Sequence, residues 1–102
     1  MLSLVVYIPE ADLEKVKNAM FDAGAGRIGN YDRCCWQTKG TGQFCALAGA
    51  NPAIGKIGEV ERVDEWKVEM VCEPACVQAV IKAMKAAHPY ETVAYHFTEV
   101  KS

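Results

Sequence analysis

Nothing in this 102-residue chain approaches the roughly 20 consecutive apolar residues that a membrane-spanning helix requires. The opening run LVVYI has no basic lead-in and no small-residue cleavage site, so no secretory signal is expected. The chain reads as cytoplasmic, with no membrane partner. Lys and Arg number 11 against 13 Asp and Glu, for a formal net charge of -2, and the basic residues are scattered. That pattern lacks the footprint of a protein that neutralises phosphate backbones, and argues against nucleic acid as a partner. The five cysteines are odd in number, two are adjacent, and no Cys-x-x-Cys occurs. This does not look like a disulfide framework, and reduced thiols are expected. No Gly-Lys-Ser/Thr follows a glycine loop. GAGRIG, residues 24–29, begins as G-x-G-x-x-G but follows a helical pattern, so it fails as a dinucleotide fingerprint. No linker or low-complexity stretch divides the chain, which is read as one domain over 1–102 with a modest core.

What is present is a regular alternation of periods. LSLVVYI, residues 2–8, is rich in branched residues and predicts a strand with Leu2, Leu4, Val6 and Ile8 on one face. Pro9 then opens a helix in which Leu13, Val16, Met20 and Phe21 recur at helical spacing, and Gly24 and Gly26 end it. YDRCCWQTK and QFCALAG both read as extended, and Gly40-Thr41-Gly42 between them predicts a hairpin turn. GANPAIGKIG, residues 49–58, is a loop by composition. Trp66, Val68, Met70 and Cys72 alternate with charged residues and predict a strand with one buried face. Pro74 opens a second helix with an apolar stripe of Val77, Val80, Ile81 and Met84, continued in phase by His88. Pro89 ends it, because the residue before a proline avoids α conformation. Val93, Tyr95 and Phe97 mark a last strand, whose other face carries His96. The order predicts an α+β, ferredoxin-like sandwich: an antiparallel sheet, two helices on one face, and an extra hairpin strand.

The chemistry-bearing residues concentrate in HPYETVAY, residues 88–95. His88 has two readings. At a helix C-terminus it complements the dipole and covers the core edge. Alternatively it converges with Glu91 on a cleft, where imidazole and carboxylate suit zinc or a similar divalent metal. Glu91 shares the parity of Val93 and Tyr95, so it is expected to begin on the core-facing side of the last strand. Tyr90 and Tyr95 read as rings with a hydrogen-bonding tip. Cys34 and Cys35 point to opposite faces, and Cys76, near the start of the second helix, is a candidate reactive thiol.

GAGRIGNYDRCCW, GTGQF, GANPAIGKIGEVERVDE and AAHPYETVAY, taken together and in order, resemble the inserted domain of the Nif-three family, the YqfO-type proteins. The resemblance covers Gly24 to Phe97. It implies a fold similar to the PII signalling proteins and CutA, both trimeric, here as that domain alone. The larger family's two-metal site lies in flanking halves, so its cyclohydrolase label is not carried over. The resemblance implies that Gly29, Asn30, Tyr31, Cys34, His88, Pro89, Tyr90 and Glu91 line one cleft. Of these, Gly29, Asn30, Tyr31 and Tyr90 are the candidate ligand-binding residues. His88, Glu91 and Cys34 are the candidate ligands of a divalent metal, and no catalytic residue is assigned. The chain departs from the family pattern at Cys35, Trp36, Cys45, Thr92 and His96.

The leading expectation is a non-enzymatic homo-oligomeric module, trimer or dimer, that holds a small ligand or divalent metal near the HPYE turn. The alternatives are a small metal-dependent hydrolase using His88 and Glu91, and an interaction domain for a separate Nif-three or signalling partner.

Overall fold

A computed structural model describes residues 1–101 of the chain. Four strands and two helices run in the order β1 (Leu2–Pro9), α1 (Leu13–Asp22), β2 (Trp36–Cys45), β3 (Val60–Cys72), α2 (Val77–Ala87) and β4 (Tyr95–Glu99). Each helix is entered through a short 3-10 turn, Glu10–Asp12 after Pro9 and Pro74–Cys76 at Pro74. In both, proline sets the entry because its missing N–H would have no helical partner there.

The strands pair in the order β2-β3-β1-β4, and every pairing is antiparallel. This is the ferredoxin-like arrangement, with β1 and β3 central. Period-two alternation puts Leu2, Leu4, Val6 and Ile8 on the helix-covered face, opposite Cys72, Met70, Val68 and Trp66. The stripes of α1 and α2 close over them: Val16, Met20, Val80 and Met84 are at most 1% exposed. Burying each such side chain contributes roughly 1.5–3 kcal/mol, so this layer holds the fold together.

Among the described residues the expected extra strand is absent. Gly40-Thr41-Gly42 is not a turn but the middle of β2, paired in register from Trp36↔Glu69 to Cys45↔Val60. The hairpin turn lies instead in the 46–59 loop. Gly42 signals a close approach, of the Glu65 side chain, and not a reversal of the chain. Because β1 ends at Pro9↔Glu65, the β2–β3 hairpin runs on beyond it as a two-stranded arm, and the molecule measures 46 × 24 × 23 Å. A two-stranded ribbon is marginal alone. The arm leans on the HPYE turn.

Candidate binding cleft

Pro89 forces His88 out of α conformation, to φ -76° and ψ 138°, while the His88 N–H still bonds to the Met84 carbonyl at 2.9 Å. The chain turns and the imidazole of His88, a residue only 6% exposed, slides beneath β1. Nε2 lies 2.9 Å from the Tyr7 carbonyl oxygen, and Nδ1 accepts the Tyr90 N–H at 3.2 Å. An accepting nitrogen carries no proton, so the network assigns the proton to Nε2, which donates to Tyr7. The need for that donor comes from the sheet. A residue in an antiparallel strand turns its N–H and C=O toward the same neighbour. The Tyr7 N–H bonds to the Ala94 carbonyl at 3.2 Å, just before β4 begins at Tyr95. His88 satisfies the carbonyl that β4 leaves over.

Glu91 is exposed and precedes β4, so the core-facing parity expected of it does not hold. Its two carboxylate oxygens accept the Asn51 N–H at 3.1 and 3.3 Å. That bond ties the 46–59 loop to the HPYE turn across 40 residues.

The metal set expected from the sequence is not brought together. Among the described residues, no three His, Cys, Asp or Glu side chains gather where an ion would sit. Both His88 nitrogens are committed to backbone groups, Glu91 holds Asn51, and the Cys34 thiol donates to the Asp32 carbonyl at 3.7 Å. A metal-dependent hydrolytic pair of His88 and Glu91 meets the same obstacle.

The expected common cleft is split as well. Ile28 and Tyr31 exchange two 3.0 Å backbone bonds around Gly29-Asn30, and Gly29 takes φ +57°. This exposed knuckle is pinned by Gly26 N–H to the Val71 carbonyl and Cys34 N–H to the Gly26 carbonyl, both 2.8 Å. Arg33, itself at φ +55°, secures it through Asp22 at 2.8 Å and by lying over the Phe21 ring. Val71 pairs with Ser3, whereas Tyr90 reaches the Tyr7 end of β1. Four residues of strand, about 13 Å, separate them. Gly29, Asn30, Tyr31 and Cys34 therefore stand apart from Tyr90 and Glu91.

Tyr90 and Glu91 instead join a different cleft of about 530 Å³, between the arm, the 46–54 stretch and the 90–94 segment that leads into β4. Its walls include Tyr7, Phe44, Leu47, Ile54 and Glu65. The Phe44 and Tyr90 rings lie 6.2 Å apart, tilted by 60°. The Tyr90 hydroxyl is buried with no hydrogen-bond partner. Burial pushes its pKa up to about 12, and the charge of Glu65 adds to the effect, although that carboxylate does not meet hydrogen-bond geometry with the hydroxyl. Glu65 owes its position to glycine: a β-carbon at Gly42 would overlap its carboxylate. Tyr7, Phe44 and Glu65 were missed in the sequence. The signal available was GTG inside a strand pattern, opposite an acid.

No family model matches the chain. Among solved structures, CutA1 from Pyrococcus horikoshii superposes on 100% of this chain and 85% of its own, with a TM-score of 0.71 at 14% identity. The class is thus a CutA-like α+β fold. A Bacillus cereus protein related to NIF3 matches 99% of this chain with a TM-score of 0.85 and 40% identity, over 26% of its own length. The "GTP cyclohydrolase 1 type 2 homolog" of Mycobacterium tuberculosis is 52% identical over 91 residues, 89% of this chain and 24% of the relative. The chain is homologous to one segment, about a quarter, of these NIF3-related proteins, and that segment carries the CutA-like fold. Among the described residues, no helix is long and apolar enough to cross a membrane.

Proposed function

We propose that this chain is a non-enzymatic, oligomeric binding module that holds a small ligand in the cleft beside Tyr90 and Glu91. The observation that carries the reading is the Tyr90 hydroxyl, buried at the wall of an otherwise largely apolar cleft without a partner. An unsatisfied buried hydroxyl costs about 1–3 kcal/mol, which a polar ligand atom recovers once the Tyr90 ring turns its hydroxyl into the cleft. Binding sites of this kind combine an apolar lining with a few placed polar groups. Two sheet edges, β2 and β4, favour assembly with further copies, as do exposed Trp36 at 69% and Phe97 at 44%. The relatives named for cyclohydrolase are far longer, this chain spanning 24% of the mycobacterial one, and no step of cyclohydrolase chemistry is assigned to this segment.

A fragment screen by NMR on the labelled full chain tests the ligand reading. Hits are expected to move the amide resonances of Phe44, Ile54 and Tyr90. Hits confined to other surfaces would refute it. Light scattering in the micromolar range tests the assembly, and a monomer there would count decisively against it.

A further inference from the structure

The charge of the cleft is one-sided. Its walls carry two carboxylates, Glu65 and Glu91, and no Lys, Arg or His, while Tyr7 and Glu65 also border a neighbouring pocket that holds Lys39 and Lys67. Among the described residues neither acid has an ion-pair partner; the Lys and Arg nitrogens pair with Glu10, Glu14, Asp22, Asp32 and Glu69. Glu91 spends part of its accepting capacity on the Asn51 N–H, but a carboxylate offers about four lone-pair sites. Glu65 stands in space that Gly42 leaves open, on a wall shared with Tyr7, Phe44 and Tyr90. Three aromatic rings beside an unpaired acid form a recognisable combination, because ring faces attract cations and the acid fixes where the charge sits. An anionic ligand, a nucleotide phosphate included, would face two negative charges with no positive group in the wall.

Resting on the ligand-binding reading above, we infer that the cleft takes a small organic cation: a protonated amine or quaternary ammonium on an apolar body. The ammonium lies by Glu65 and the rings of Tyr7, Phe44 and Tyr90. An ammonium N–H donates to the Glu65 carboxylate and, where the amine has a further N–H, to the Tyr90 oxygen, which accepts as well as donates. The apolar body occupies the Leu47 and Ile54 side. Two acidic residues alone would not define a site. The half-open cleft, the buried unpartnered hydroxyl and the glycine that clears room for one acid together do.

Three probes of one shape separate charge from shape: phenethylamine, phenethyl alcohol and 3-phenylpropionate, titrated at neutral pH into the labelled full chain. The amine is expected to shift the cleft resonances with roughly tenfold higher affinity than either analogue, the worth of one charge-assisted hydrogen bond. Glu65→Gln is expected to reduce amine affinity by about tenfold and leave the alcohol unchanged, in a variant whose other resonances stay in place. Phe44→Leu provides an independent arm, with an expected loss of roughly two- to fivefold for the amine alone. If the alcohol or the carboxylate binds as tightly as the amine, or if both variants bind the amine as the parent does, the cation inference is wrong while the cleft remains a binding site. If none of the three moves the cleft resonances at about 10 mM, a concentration that would reveal even a millimolar Kd, both readings fall.

Discussion

Replacing His88 tests the link between the HPYE turn and the sheet. His88→Ala truncates a buried residue, orphans the Tyr7 carbonyl and frees the Tyr90 N–H. The orphaned carbonyl costs about 1–3 kcal/mol, and the cavity left by a large-to-small change adds about 2 kcal/mol or more. The sum, about 3–5 kcal/mol, is a large part of the roughly 5–15 kcal/mol available to a domain. At roughly 4–8 °C per kcal/mol for a chain of this size, Tm should fall by about 12–40 °C. Two further variants divide the effect. His88→Leu refills the volume but still strands the carbonyl, so it should recover only the cavity part. His88→Gln can donate to Tyr7 and accept from Tyr90, and should recover more than His88→Leu. Urea unfolding followed by circular dichroism gives the three values. His88→Leu as stable as the parent protein would show that the imidazole does not finish the β1–β4 ladder, and the reasoning would fail.

Three other outcomes follow from the geometry. Gly26→Ala should destabilise by about 2–4 kcal/mol, because φ is +79° and a β-carbon would stand 2.8 Å from the Phe21 ring and 3.0 Å from the Cys34 carbonyl oxygen; a change below about 0.5 kcal/mol in urea unfolding would contradict this. Glu91→Ala removes the acceptor of the Asn51 N–H, so hydrogen exchange at Asn51 should accelerate while the amides of β1 and β3 keep their protection; unchanged Asn51 exchange would show that the tether is absent in solution. Tyr90 holds its proton to about pH 12 in the folded chain against 10 unfolded. Its contribution to stability is therefore constant below about pH 10 and declines between about pH 10 and 12. Thermal melts across that range should fall more steeply for the parent than for Tyr90→Phe, and parallel slopes would contradict the shift.

The sequence carried the elements well because their signals are local. The stripe Leu13, Val16, Met20 and Phe21 is buried throughout, and so are Val77, Val80 and Met84, since a period of 3.6 puts these residues on one helix face wherever the helix docks. His88 lies in phase with the second stripe and is buried as that phase requires. GTG misled for an equally physical reason. Glycine favours a turn and also permits close approach within a strand, and only the register of Gly42 against Val63, with the Glu65 side chain beside it, separates the two.

The site was far less legible. Short motifs reveal which residues are polar and where the chain bends, and HPYE showed both. They do not reveal which distant backbone group a side chain meets. His88 meets Tyr7 across 81 residues and Glu91 meets Asn51 across 40. Those partners follow from strand order and from the overhang of the β2–β3 arm beyond β1. The sequence by itself determined the periods, the caps and the helix-covered core, because each depends on neighbours a few residues apart. The tertiary structure alone decided that the Gly29–Tyr31 knuckle and the HPYE turn lie apart, and that Glu65 faces the cleft with Tyr90. Long-range pairing sets those distances, and no local pattern encodes it.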